Sequence, residues 1–145
     1  MLFRSQVSRQ SLLLEEFLAR ELKAGRLDAL QQRLTTINQP ILVHGHCHQK
    51  AFGLVPEGLD VVRMVPGATP RLIETSCCGM AGSFGYEREH AEVSMQMAEL
   101  SLLPALRSSP DALIVADGTS CRHQIHDGSQ RHAIHVASLL ARQLK

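Results

Sequence analysis

Cysteine and histidine side chains gather in three short stretches of this chain, which has 145 residues, 4 cysteines and 8 histidines. The first stretch holds Cys47, the second holds the adjacent pair Cys77 and Cys78, and the third holds Cys121. Thiolates are soft anionic ligands, and four convergent sulfurs are enough for an iron–sulfur cluster or a zinc ion. The cysteines therefore indicate a metal site, although no pair of them has the CxxC spacing of zinc ribbons and ferredoxins.

Other interpretations of the cysteines remain open. Buried cysteines also act as small hydrophobic side chains. Disulfide pairing is a second alternative, but adjacent cysteines do not easily pair with each other, and a reducing compartment favours metal-binding or catalytic thiols. A third alternative is a thiol enzyme in which Cys77 or Cys78 is the nucleophile beside a histidine.

Four histidines and several glycines accompany the cysteines. The histidines are candidate metal ligands, proton donors or hydrogen-bond donors to thiolates. They are His44, His46, His48 and His123. The glycines follow the cysteine pair at intervals of three residues, as Gly79, Gly82 and Gly85.

Glycine lets the backbone pass close to a bulky ligand, and free amides there can donate to cluster sulfides. The glycine string lacks the GxG start and the acidic residue of a dinucleotide fingerprint, so it predicts no nicotinamide or flavin site in this chain.

Short apolar runs precede the cysteine stretches and alternate with helical patterns. The predicted strands are 41–44, 61–65, 72–75, 112–116 and a short one at the start of 133–144. The predicted helices are in 12–34, with an end at Gly25 and a second short helix at 27–34, in 88–107, and at the end of 133–144. This alternation predicts an α/β fold with an open, mostly parallel sheet of about four to five strands flanked by helices, after an N-terminal helical segment.

Three of the predicted strands end shortly before a cysteine. The carboxyl ends of parallel strands meet at one edge of a sheet, where ligands bind. We therefore expect the cysteines at that edge, with their sulfurs within roughly 4–8 Å of one another.

Composition excludes several classes of protein. A net charge of +1 argues against a nucleic-acid binder, and four Phe with one Tyr are too few for a base-stacking platform. No apolar stretch approaches the ~20 residues of a membrane span, and no secretory signal is recognisable, which favours the cytoplasm. Residues 1–10 lack a recognisable domain start and look like the middle of a longer chain, so we expect 1–145 to be a single domain of a larger protein.

Three motifs resemble the cysteine-rich (CCG) domain family. They are HGHCHQKA at 44–51, ETSCCGMAGSFGYE at 74–87 and DGTSCRHQI at 117–125. That domain occurs in heterodisulfide reductase, in the iron–sulfur subunit of glycolate oxidase and in anaerobic glycerol-3-phosphate dehydrogenase, each time in one of several subunits. The motifs look most like the C-terminal part of FAD-linked D-2-hydroxyacid oxidases of the D-lactate dehydrogenase type. The resemblance therefore implies that residues 1–145 are a single cysteine-rich (CCG) domain and the C-terminal fragment of a larger oxidoreductase.

The resemblance implies a ligand set and a cofactor. Cys47, Cys77, Cys78 and Cys121 match the family's cysteines and would hold a 4Fe–4S cluster, with zinc as the alternative. The family's closing CxxC falls on Gly118 and Cys121, so the five thiolates of a non-cubane cluster are incomplete here.

The resemblance also implies a function and partners. The chain would be the iron–sulfur electron-transfer domain of an FAD-linked dehydrogenase for D-lactate, glycolate or D-2-hydroxyglutarate. An FAD-binding domain and a ferredoxin-like 4Fe–4S domain would be its partners, on the same polypeptide or as separate subunits, and could hold it at the inner face of the membrane. Without the flavin domain the chain is expected to be inactive. The alternatives are a structural zinc module for docking and a heterodisulfide-reductase-like thiol redox domain.

Overall fold

The computed structural model describes residues 2–145. The helices in chain order are α1 (Leu2–Gln10), α2 (Leu14–Lys23), α3 (Asp28–Gln31), α4 (Cys47–Ala51), α5 (Val55–Arg63), α6 (Ala91–Glu99), α7 (Leu102–Arg107), α8 (Thr119–Ser129) and α9 (Val136–Gln143). A short 3-10 helix spans Phe84–Tyr86. The strands are β1 (Ile41–His44), β2 (Pro70–Leu72), β3 (Leu113–Ala116) and β4 (Ala133–Ile134).

The strands of the described residues form one parallel sheet in the order β2-β1-β3-β4. The register places Val43 opposite Val115 and His44 opposite Ala116. All four residues of β1 are buried, because helices cover both faces of the sheet, and this explains the continuous apolar runs. The predicted open parallel sheet with flanking helices and an N-terminal helical segment is confirmed.

The two faces of the sheet carry two hydrophobic layers. Ile41 and Val43 point to the layer that contains α2, α5 and α9. Leu42 and Ile114 point to the opposite layer, which contains α6, α7 and α8. Successive side chains of a strand alternate between faces. Cys78 and Cys121 belong to the second layer, so part of the cysteine site is built into the core.

The predicted strand at 61–65 is wrong. Val61 and Val62 lie near the end of α5 and, together with Gly58, form its buried face. Pro56 lies in the first turn of this helix, where the missing N–H leaves no hydrogen bond unmade. A short apolar run fits a buried strand and a buried helical face equally well, and here the helix is the observed structure.

Two further boundaries differ from the prediction. The strand predicted at 72–75 lies earlier in the chain, as β2, which spans Pro70–Leu72. The single helix expected at 88–107 is divided into α6 and α7, and Pro104 lies in the first turn of α7, where proline is tolerated. The N-terminal prediction is confirmed, since Gly25 adopts φ +67 between α2 and α3.

Within residues 2–145, no helix has both the length and the apolar character needed to cross a membrane.

Candidate metal centre

The three cysteine-bearing segments follow neighbouring strands of the sheet. Cys47 begins α4 shortly after β1. Cys77 and Cys78 lie in the segment after β2, and Cys121 lies in the first turn of α8, which follows β3. The cysteines therefore lie at the carboxyl edge of the strands, as predicted, and all four are free thiols.

One imidazole and two thiols form a compact cluster at this edge. The donor atoms of His44, Cys78 and Cys121 all lie within 4.8 Å of one another. The three side chains are 2%, 4% and 2% exposed, respectively. We call these three residues the buried donor group.

The hydrogen bond between the two thiols favours a thiolate at Cys78. Cys121 donates a hydrogen bond to Cys78, and with donors from His44 and the Met80 amide this lowers the pKa of the Cys78 thiol to about 4. The same bond, together with burial and the charge of Cys78, raises the pKa of Cys121. At neutral pH one sulfur of the pair is therefore a thiolate, the form of cysteine that binds metals.

The remaining two cysteines lie at the rim. Cys47 is exposed, and its sulfur is 3.8 Å from His46 Nε2. Cys77 is half-buried, and its sulfur accepts a hydrogen bond of 3.3 Å from the amide of Gly79. Among the described residues, neither sulfur belongs to the buried donor group, but the charges of both help to raise the pKa of Cys121. The four thiols share one sheet edge as a buried pair and a rim pair.

The histidines beside Cys47 have different surroundings. His46 caps α4, and its Nδ1 accepts a hydrogen bond of 3.3 Å from the amide of His48, which leaves the proton on Nε2. Burial and the neighbouring His48 lower the pKa of His46. His48 itself is exposed and packs edge-to-face on His46. His46 is therefore placed as a donor toward Cys47 Sγ.

His123 lies on the outer side of the same helix as Cys121. It is exposed, and its Nδ1 is 2.6 Å from the hydroxyl of Tyr86. This histidine is thus paired with the 3-10 helix and is not a member of the buried donor group.

Two of the three glycines after the cysteine pair pack closely against another part of the chain. Gly79 has φ +94, and a Cβ there would lie 2.1 Å from the carbonyl oxygen of Ser94 in α6. Gly82 has φ +73 with open space around it. A Cβ on Gly85 would lie 2.4 Å from Ser94 Oγ. Gly79 and Gly85 therefore approach α6 closely, and the predicted approach of this segment to a bulky ligand stays a prediction.

Gly118 faces the site directly. Its φ of −69 is open to any residue, but a Cβ there would lie 2.3 Å from His46 Cδ2 and 2.9 Å from Cys121 Sγ. The His46 ring fills the space that a cysteine side chain at this position would need.

A buried polar link that the sequence did not indicate joins α2 to the site. The side-chain nitrogen of Gln49 donates to Glu15 at 2.5 Å and to Asp117 at 2.7 Å. Asp117 also accepts from the amide of Val136, at the start of α9. Glu15, Gln49 and Asp117 line a cavity of about 300 Å³ that His46 also lines. The partners are far apart in sequence, so no local pattern could have identified them.

A metal fits the chemistry of the buried donor group. Zinc binds thiolate at ~2.3 Å and imidazole at ~2.0–2.1 Å, so tetrahedral donors lie roughly 3.3–3.8 Å apart. The donor atoms of the group, all within 4.8 Å of each other, need only a small contraction to reach this separation. Two sulfurs and one nitrogen are also donors of the type that iron and zinc prefer.

Comparison with known proteins identifies relatives among dehydrogenases. One subunit of the anaerobic glycerol-3-phosphate dehydrogenase of Escherichia coli is 29% identical over 104 residues, which is 72% of this chain and 26% of that protein. D-2-hydroxyglutarate dehydrogenase of Pantoea ananatis is 41% identical over 100 residues, which is 67% of this chain and 10% of that protein. The Escherichia coli D-2-hydroxyglutarate dehydrogenase is 32% identical over 109 residues, which is 74% of this chain and 11% of that protein.

The chain thus spans between about a tenth and about a quarter of the length of these curated relatives. No protein-family model matches it, and no solved structure matches it significantly. The homology is to dehydrogenases and dehydrogenase subunits.

Proposed function

We propose that this chain is a metal-bearing electron-transfer module of an FAD-linked 2-hydroxyacid dehydrogenase. The observation that carries the proposal is the buried Cys78–Cys121 pair, which holds a thiolate in the core at the sheet edge that Cys47 and Cys77 also reach. The names of the relatives support a dehydrogenase as the larger assembly. D-lactate, glycolate and D-2-hydroxyglutarate are the candidate substrates of that assembly.

The proposed cofactor is a 4Fe–4S cluster held by Cys47, Cys77, Cys78 and Cys121. Such a cluster supplies one-electron transfer when it is bound. Within this chain, Cys78 and Cys121 would anchor it in the core, whereas Cys47 would bind at the start of α4. The Gly79 amide, which donates to Cys77 Sγ at 3.3 Å, would stabilise negative charge on that sulfur.

The proposed partners supply the remaining steps. An FAD-binding domain would accept the hydride of the hydroxy acid, and a ferredoxin-like 4Fe–4S domain would pass electrons singly. These partners would be parts of the same polypeptide or separate subunits. We place the assembly in the cytoplasm, held at the inner face of the membrane through its partners, and expect no dehydrogenase activity from this chain alone.

Iron and sulfide analysis tests the cluster. Protein purified without oxygen should contain about four iron and four sulfide per chain and show a broad visible absorption. Cys78→Ser should lose the iron because serine is a harder and mostly protonated ligand. His123→Ala is the matched control and should keep it, since His123 bonds to Tyr86. Iron retained in Cys78→Ser but lost in His123→Ala would refute the four-cysteine ligand set.

A structural zinc site is the second candidate, and the buried donor group favours it. His44, Cys78 and Cys121 alone supply three of the four ligands that zinc takes. The module would then dock on the dehydrogenase without carrying electrons. One zinc per chain, lost in His44→Ala, would support this function, whereas a cluster on four cysteines should survive that substitution.

The third alternative, a heterodisulfide-reductase-like redox domain, receives less support. A fifth thiolate at position 118 would meet the His46 ring.

A further inference from the structure

A chain of polar contacts connects Lys50 and Thr75 to His44 of the buried donor group. Lys50 Nζ donates to the carbonyl oxygen of Thr75, to Thr75 Oγ1 at 3.1 Å and to the carbonyl oxygen of Ser76 at 3.3 Å. Thr75 Oγ1 in turn lies 3.2 Å from Nδ1 of His44. The contacts therefore lead from a half-buried ammonium group to the imidazole of the site.

Hydrogen bonds hold the ammonium group of Lys50, and its aliphatic stem lies close to Gly45. An ammonium group has three N–H donors, and here three acceptors receive them. The aliphatic stem passes over Gly45, where a Cβ would lie 3.3 Å from Lys50 Cε. Because two of the acceptors belong to Thr75, Lys50 fixes both the backbone and the side-chain rotamer of that residue.

The Thr75 hydroxyl can form a hydrogen bond with Nδ1 in either tautomer of the His44 imidazole. A hydroxyl has one proton to donate and two lone pairs, and Lys50 occupies one of the lone pairs. The hydroxyl can therefore donate to a bare Nδ1 or accept from a protonated Nδ1. Since Nδ1 faces Thr75, Nε2 is the nitrogen that remains for the sulfurs.

We propose that Lys50 and Thr75 are positioning residues that hold the His44 imidazole with Nε2 toward the sulfurs of Cys78 and Cys121. In the metal-free protein, Nε2–H donates to the Cys78 sulfur and the Thr75 hydroxyl donates to Nδ1. When a metal ion binds to Nε2, the imidazole proton is on Nδ1 and donates to Thr75 Oγ1. The Thr75 hydroxyl rotates so that it donates to Nδ1 in the first case and accepts from it in the second.

Nitrogen NMR of the metal-free protein tests the first half of the proposal. In Thr75→Val, which keeps the side-chain shape, the Nδ1 resonance of His44 should move downfield because this acceptor loses its donor. Thr75→Ser should keep the wild-type position, and Thr69→Val, at an exposed threonine, is the matched control. An unchanged His44 resonance in Thr75→Val would overturn the proposal.

Titration with cobalt(II) alone tests the second half, which rests on the second candidate function above, the metal site in which His44 is a ligand beside Cys78 and Cys121. Thr75→Val and Lys50→Met should weaken cobalt binding by about 10–100-fold, the usual cost of losing the partner of a ligating histidine. Thr75→Ser should restore most of the affinity. Lys23→Met, at a surface ion pair with Glu57, should bind like the wild type.

The outcomes separate the two proposals. Wild-type affinity in Thr75→Val would overturn the positioning role. Wild-type protein that takes up no cobalt, iron or zinc would refute the metal centre, and the NMR result would still decide whether Thr75 orients His44.

Discussion

At the scale of single residues, the pKa values of the Cys78 and Cys121 thiols are shifted in opposite directions, because one thiol donates a hydrogen bond to the other. The pKa of Cys78 is lowered from 9.0 to about 4, and that of Cys121 is raised. The folded pair therefore holds one proton over the whole range from pH 4 to beyond pH 9. In the unfolded chain both thiols titrate near their ordinary pKa, about 8.5.

This difference predicts a pH dependence of the stability of the metal-free protein. Between about pH 4 and 8.5 the unfolded chain holds up to one more proton at this pair than the folded chain, so the free energy of unfolding should rise with pH. Above pH 9 the folded chain holds one more proton, so it should fall. Denaturant unfolding across this range measures the effect. Cys78→Ser should flatten the rising limb, whereas Cys47→Ser, at the exposed rim, should retain it.

The His46 ring beside Gly118 leads to a second prediction. Gly118→Cys should leave the metal content unchanged, because four thiolates already saturate a cubane cluster. It should lower the free energy of unfolding by about 1–3 kcal/mol, the usual cost of overpacking, since the new Cβ would lie 2.3 Å from His46 Cδ2. The double variant with His46→Ala should recover most of this loss, with His46→Ala alone as the control. Equal stability of Gly118→Cys and wild type would show that the ring moves away freely.

The sequence predicted part of this site. Residue type and spacing made the four cysteines and His44 candidates, with His46, His48 and His123, because soft ligands are few and lie together along the chain. Lys50 and Thr75 were not identified, since they are 25 residues apart in sequence and neither type suggests a metal. Contacts of this kind depend on the register of β1 and β2, which local patterns do not determine.

At the scale of elements, the strands buried on both faces were the easiest to predict. Residues 41–44 form β1 as expected, and 112–116 contains β3. Residues 61–65 were misassigned because a short apolar run shows no clear helical or strand periodicity. Val61 and Val62 are apolar because this end of α5 is buried. The sheet edge was still predicted correctly, since α5 contributes no cysteine.

The turn after the cysteine pair supports a third prediction, in which two glycines serve as a matched pair. Gly79→Ala and Gly82→Ala both place a side chain at positive φ, which costs about 1–2 kcal/mol. Gly79→Ala additionally brings a Cβ to 2.1 Å from the Ser94 carbonyl, whereas Gly82→Ala enters open space. Gly79→Ala should therefore lose clearly more stability and also metal affinity, as measured by thermal unfolding and cobalt titration. Similar losses in both variants would mean that the contact with α6 relaxes easily.

At the scale of the whole molecule, the buried donor group joins three separate parts of the chain. His44 ends β1, Cys78 follows β2, and Cys121 lies in α8. The Gln49 link to Glu15 and Asp117 additionally ties α2 to the same edge. An ion bound by these segments would therefore stabilise the entire fold.

Metal removal should consequently lower the melting temperature of the whole protein in one cooperative transition. A ligand at a thousandfold excess over its Kd stabilises the folded state by about 4.1 kcal/mol. At about 2–4 °C per kcal/mol for a protein of this size, the loss on chelation should be roughly 8–16 °C. The melting temperature of Cys78→Ser should not change when metal is added or chelated, because the variant lacks one donor of the group. His48→Ala, at an exposed histidine, should still respond to metal. A wild-type melting temperature that does not change on chelation would mean that any bound ion contacts one segment only and does not join the three.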